Sequence, residues 1–237
     1  MEVRINKYIA QAGVCSRRDA DKLIETGAVI VNGQKAHAGM RVSENDEIIV
    51  RGKAISTAKE KIVLAYYKKV GITCTERDLY AKKTVIQDIK YPVRITYAGR
   101  LDKDTEGLLL MTNDGDLING LMRAAGHHEK EYIVKVDQEI TREFIVAMGK
   151  PVYLSELDKT TRACEVKQIG KYTFSIILTQ GLNRQIRRMC ETLGYKVKQL
   201  KRIRIADITL EGLRPGEYRR LTKKELDDLY AKIERET

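Results

Sequence analysis

The chain has 237 residues, 44 of them Lys or Arg against 33 Asp or Glu, for a formal net charge of +11, and 43% are hydrophobic. That length sustains one large domain, or a large one with a small companion, and the apolar share is ordinary for a packed core. Its apolar runs are far too short to cross a bilayer, Arg4 and Lys7 interrupt any early signal-like segment, and Cys15, Cys74, Cys164 and Cys190 form no C-x-x-C pair. A membrane protein and a zinc module are therefore excluded, and a cytoplasmic chain with structural thiols is expected.

In chain order, Ile5, Tyr8 and Ile9 repeat at helical spacing up to Gly13. Ser16 then offers an N-cap to RRDADKLIETG, in which Ala20, Leu23 and Ile24 make the apolar face and Gly27 the stop. AVIVNGQKA and DEIIVRG follow as short strands, with Asn32-Gly33 as a hairpin turn. Two helices and then small strands, with Lys7, Arg17, Arg18 and Lys22 on outward helical positions, resemble the S4-like RNA-binding module. Residues 1–52 are expected to form that module, with Lys7, Arg17 and Arg18 meeting RNA, and residues 53–60 to form a linker.

Beyond the linker, IVLAYY, EYIVKV, YTFSIILT and IRIADITL read as strands among a few helices, without regular βαβ alternation. That pattern predicts an α+β domain over residues 61–237 with a mixed, largely antiparallel sheet. Adjacent His127 and His128 read as a solvated turn, and Thr222 with Glu225 as the capping box of a final helix.

The densest word is GRLDKDTEGLLLMTNDG, residues 99–115. Asp102, Asp104, Glu106 and Gly107 match the first half of a calcium loop, but its twelfth position, where a bidentate Glu is needed, is Asn113. Calcium is rejected on that ground, and the LLLM run reads as a core strand. Downstream, residues 181–204 hold eight basic residues and one acid, Glu191, the footprint of phosphate binding rather than of mere solubility. Asn183 is placed to cap a helix with Ile186, Met189, Cys190 and Leu193 as its apolar stripe, and Arg184, Arg187 and Arg188 in its first turns.

GRLDKDTEGLLLMTNDG and QGLNRQIRRM together resemble the catalytic and arginine motifs of RNA pseudouridine synthases of the RsuA group, with HEKEYIVKV between them. The resemblance covers nearly the whole chain. It implies an enzyme that flips a uridine out of its stack, detaches the uracil and rejoins it through C5, with no cofactor and no metal. On the matching residues, Asp102 is the catalytic aspartate, an ionised carboxylate able to act as a nucleophile. Arg187 pairs with it, Tyr132 stacks on the extruded base, and Arg100 fills the vacated gap. Leu101, Lys103, Leu182, Asn183, Arg184, Gln185, Arg188, Lys198 and Lys201 are assigned to RNA binding, while Asp104 and Glu106 are assigned to turn and surface. The family's N-K-P-x-G word is here Tyr67, Lys68, Lys69, Val70 and Gly71, without the proline.

The implied substrate is large-subunit rRNA, with a tRNA as an open second substrate, and the implied state is a monomer. Two rivals are weighed: a non-catalytic assembly factor, in which Asp102 is dispensable, and a methyltransferase, which needs a G-x-G cofactor loop absent here. The intact GRLD word favours isomerisation over both.

Overall fold

The computed structural model describes residues 2–57, 60–75, 83–122 and 128–235. They belong to two units, one of Met1–Ile62 with the short segments Tyr91–Thr96 and Thr112–Gly115, the other of Val63–Lys90, Tyr97–Met111 and Asp116–Thr237.

The first unit holds β1 (Val3–Arg4), α1 (Ile5–Gln11), α2 (Arg17–Glu25), β2 (Val29–Val31), β3 (Gln34–Lys35), β4 (Arg41–Val42), β5 (Ile48–Val50) and β6 (Lys53–Ile55). Ser16 caps α2 as expected, its hydroxyl accepting from the Asp19 N–H. Asn32 and Gly33 both take positive φ, the backbone that a two-residue hairpin turn demands. The apolar positions Ile5, Tyr8, Ile9, Ala20 and Ile24 close on Val29, Val31, Ile48 and Val50 as one core. The linker begins later than expected: Lys53–Ile55 pairs with β5 as the edge of a four-stranded sheet. Three residues are too few to show a strand periodicity, and the neighbouring strand supplies the order.

The second unit contains β7 (Val63–Lys68), α3 (Val85–Ile89), β8 (Thr96–Ala98), β9 (Glu106–Thr112), α4 (Gly115–Met122), β10 (Lys130–Val136), α5 (Arg142–Gly149), β11 (Tyr153–Leu154), β12 (Lys159–Thr160), β13 (Glu165–Gly170), β14 (Thr173–Leu178), α6 (Gln185–Thr192), β15 (Val197–Ile205), β16 (Ile208–Thr209), β17 (Tyr218–Arg220) and α7 (Lys223–Arg235). Its main sheet runs β13-β14-β10-β15-β9-β7-β17, with β16 beside β15 and β8 beside β9. β13, β14, β10 and β15 are antiparallel neighbours, whereas β15 and β9 run parallel, so the sheet is mixed. α5 and α6 bury Phe144, Met148, Ile186 and Met189 with Val134, Phe174 and Leu200; α4 and α7 bury Leu117, Leu121 and Leu229 with Ala65, Leu108 and Leu110. Burial suits the cysteine reading, since it pushes the Cys164 thiol up to about 11 and the Cys190 thiol up to about 12. His128 departs from its reading as a solvated residue and is buried; His127 lies outside the described residues.

The parallel junction sets the position of the catalytic word. Lys201 and Arg202 of β15 pair with Glu106 and Gly107 of β9, and a Cβ on Gly107 would stand 2.2 Å from the Arg202 carbonyl oxygen. Gly107 also has a φ of +110°, which side-chain-bearing residues rarely adopt. Clash and backbone strain act together there, so Gly107→Ala is expected to destabilise the protein by on the order of 3 kcal/mol, read from the denaturation midpoint.

Candidate active site

Four fully buried residues, Leu108 to Met111, anchor β9, and the Asp102 loop projects from its start. The Thr105 N–H donates to the Asp102 carbonyl at 3.1 Å, closing the turn, and the Gly71 N–H donates to the Lys103 carbonyl at 2.7 Å, tying the turn to a second loop. That second loop is the one lacking the family proline. Its shape is held instead by buried Lys68, whose Nζ donates to the Lys69 and Ile72 carbonyls at 2.9 and 2.7 Å. Because Glu106 opens a strand, residues 102–113 are not the loop between two helices that calcium needs.

The loop opens onto a cavity of about 470 Å³, within the size range of small-molecule sites. Arg100, Leu101, Asp102 and Lys103 line it together with Leu182, Asn183, Arg184 and Gln185, and with Tyr132 of β10. The two apolar cores meet here, Leu178, Ile186 and Leu200 coming from one and Ala98, Leu121 and Ile205 from the other. Nine of the expected residues therefore converge, although they are spread over more than eighty positions of sequence.

The arginine pairing differs from the expectation. Arg184, not Arg187, is the arginine beside Asp102, with Nη1 3.7 Å from Oδ2. Arg184 also grips Asp104 with two bonds of 3.1 Å, and Arg187 donates to the Asp104 carbonyl at 2.9 Å with its carboxylate 3.3 Å away. The reason is local. Asn183 does not cap α6; Arg184 occupies the N-cap position in the left-handed region at φ +51°, without a side-chain capping bond, and its guanidinium reaches the Asp102 loop instead. The freed Asn183 accepts from Arg188 instead, and Arg188 also pairs with Glu156. Partial burial works to raise the Asp104 carboxyl, but hydrogen bonding from Arg184 and the charges of both arginines hold it below the usual carboxylate range. Asp104, read as a turn residue, is thus the hub of the loop.

The basic stretch is also less uniform than its sequence. Arg204 pairs with Glu129 and Glu131, acids that sequence proximity to the stretch could not reveal. The Lys201 ammonium lies 5.0 Å over the Tyr67 ring. Strand neighbours alternate faces, so Lys201 points away from Leu200 and Arg202, which line the cavity. Lys198 is exposed. Arg202 itself is 3% exposed, with Nε donating to the Leu108 carbonyl at 2.7 Å.

Comparison with known proteins matches residues 62–192 to the RNA pseudouridylate synthase family and residues 3–48 to the S4 domain. The dual-specificity RNA pseudouridine synthase RluF of Escherichia coli K12 is 46% identical over 98% of this chain and 80% of its own length. The ribosomal large subunit pseudouridine synthase B of Bacillus subtilis is 38% identical over 96% of each chain. A crystal structure of a pseudouridylate synthase superposes with a TM-score of 0.71 at 30% identity, covering 96% of this chain and 99% of that one. The chain belongs to the RNA pseudouridylate synthase family.

In this synthase the S4 match lies within the first unit, where Arg17 and Arg18 are exposed and Lys7 is half-buried. Gly107, Asp104, Lys68 and Arg202 are the residues that motif reading undervalued. A glycine inside a strand-forming run was an available signal for Gly107; none of comparable strength marks the other three. The charge of Asp104 is retained above the usual carboxylate range and lost as pH falls through its depressed pKa, so the clamp loosens only in strong acid. Asp104→Asn is expected to lower turnover roughly tenfold to a hundredfold by releasing Arg184 and Arg187. Steady-state kinetics measures that loss, and an unchanged melting temperature separates it from unfolding.

Proposed function

We propose that this RNA pseudouridine synthase acts on uridine in the RNA of the large ribosomal subunit, in the cytoplasm and as a monomer, with Asp102 as its catalytic residue. The observation that carries the reading is the Asp102 carboxylate facing a nucleotide-sized cavity with the Tyr132 ring on its wall and Arg184 3.7 Å away. Asp102 and Arg184 are 37% and 41% exposed, so their attraction is worth under about 1 kcal/mol. The aspartate is oriented without being consumed by its partner. It keeps lone pairs for the sugar or the base, while Asp104 takes the stronger bidentate grip.

A uridine must leave its stack to reach this cavity, and an aromatic face receives a planar base at little conformational cost. Tyr132 supplies that face. Arg100, exposed on the rim, has the length to enter the gap left in the RNA. The isomerisation loses no atom and transfers no electron to an acceptor: one C–N bond is exchanged for one C–C bond. Arg17 and Arg18 at the start of α2 supply phosphate contacts from the S4 unit.

Purified protein incubated with large-subunit rRNA transcripts, followed by carbodiimide primer extension, tests this reading. Wild type should place pseudouridine at one or very few sites and Asp102→Asn at none, with RNA affinity unchanged. Modification surviving the substitution would remove Asp102 from the chemistry. The dual specificity in the RluF name motivates a tRNA transcript as a second arm. Reversing Arg17 and Arg18 to Glu should weaken RNA binding and lower its logarithmic salt slope by about 1 per lost phosphate contact, with turnover at saturating RNA intact.

A further inference from the structure

Uracil must be held while it is detached from the ribose, and the cavity contains a group that the reading above leaves unused. Arg202 is 3% exposed, lines the cavity, and has its Nη2 without a hydrogen-bond partner among the described residues. A guanidinium is always charged, so a buried, unpaired N–H on one is costly unless something receives it. Its orientation is fixed from behind by the bond from Nε to the Leu108 carbonyl. It is also directly cross-strand from Tyr132, the residue assigned to stack on the base, and paired residues of neighbouring strands present their side chains on one face. Two further buried polar atoms without partners among the described residues, Gln180 Nε2 and Thr105 Oγ1, belong to residues lining the same cavity.

We propose that Arg202 is a second catalytic residue, whose free N–H grips the carbonyl oxygens of the uracil while it is detached from the ribose. This rests on the pseudouridine synthase reading of the Asp102 cavity. When the C1′–N1 bond breaks, its electron pair leaves with N1, and the charge spreads onto O2 and O4. A preorganised cation at one of those oxygens stabilises that anion as an oxyanion hole does. The ring then turns over about the line from N3 to C6, which brings C5 to the place of N1 and exchanges O2 with O4. A fixed donor therefore meets a carbonyl oxygen before and after the turn, and the base is never released. A C–C bond to C5 closes the step; the C5 proton is lost and N1 takes one up, so atoms and electrons balance.

The test uses the rRNA fragment in which wild type forms pseudouridine, carrying uridine, 2-thiouridine or 4-thiouridine at the target, in single-turnover assays with nucleosides separated after digestion. Sulfur is a poorer acceptor than oxygen, so wild type should be slowed roughly tenfold or more by either substitution, because each carbonyl passes the same donor. Arg202→Gln should lose about 100-fold or more in rate on uridine and show little further loss on the thio substrates. Arg202→Met removes every N–H while keeping the side chain's length and, if the glutamine variant does not fold, takes its place in the comparison. Wild type as fast on both thio substrates as on uridine overturns the inference, as does a thio penalty undiminished in the folded variants, which would be steric. Wild type inactive on uridine in every large-subunit fragment overturns the underlying function and the inference with it.

Discussion

The close approach of β9 to β15 is the constraint on which the site depends. Only a residue without a Cβ lets the two backbones meet at Gly107, and the parallel register this creates sets Glu106 beside Lys201 and Gly107 beside Arg202. One step back along β9 lies the Asp102 loop; one step forward lies the Leu108 carbonyl that holds the Arg202 guanidinium. A single backbone contact thus positions a carboxylate and a guanidinium on the same cavity. A shift of one residue would send Arg202 to the other face of the sheet, where Lys201 now rests on Tyr67.

Charge in the site is divided by strength of attachment. Asp104 receives a bidentate arginine and a second arginine, and it holds the loop; Asp102 receives one longer, exposed contact, and it remains available. Had the two aspartates exchanged partners, Asp102 would have its oxygens committed to a forked guanidinium, the geometry that most fully satisfies a carboxylate. Arg184 can serve both because its backbone is left-handed, a conformation that costs of order 1–3 kcal/mol in a non-glycine residue and persists where surrounding contacts enforce it.

The sequence disclosed what local periodicity and capping chemistry encode. Ser16 before α2, the Asn32-Gly33 turn, the Thr222 and Glu225 capping box and the buried LLLM strand are all decided within a few residues, and all stand in the structure. The convergence of Asp102, Tyr132, Arg100 and the 182–185 segment was legible only through motif resemblance, since their separation far exceeds any local period. The choice between Arg184 and Arg187 was not legible, because both project from the start of α6 and an unexpected backbone conformation at the cap decides between them. Lys68 and Arg202 were hidden for a related reason. A buried cation is tolerable only where carbonyl oxygens receive it, and those carbonyls, Lys69 and Ile72 for one and Leu108 for the other, are placed by the fold.

Those buried cations bear on why the cavity has its composition. Desolvation pulls the Lys68 ammonium below its ordinary value, while Asp102 and Asp104 pull the other way and Lys68 stays with the loop it holds. Lys130, which lines the cavity with Arg202, is depressed by burial and by the Arg202 charge. Lys130 and Arg202, two cations on one poorly solvated cavity, repel one another. The uracil anion proposed above brings negative charge into that same space. The repulsion stored in the free protein is relieved as the charge appears, so it favours the transition state over the empty site, which is the direction catalysis requires.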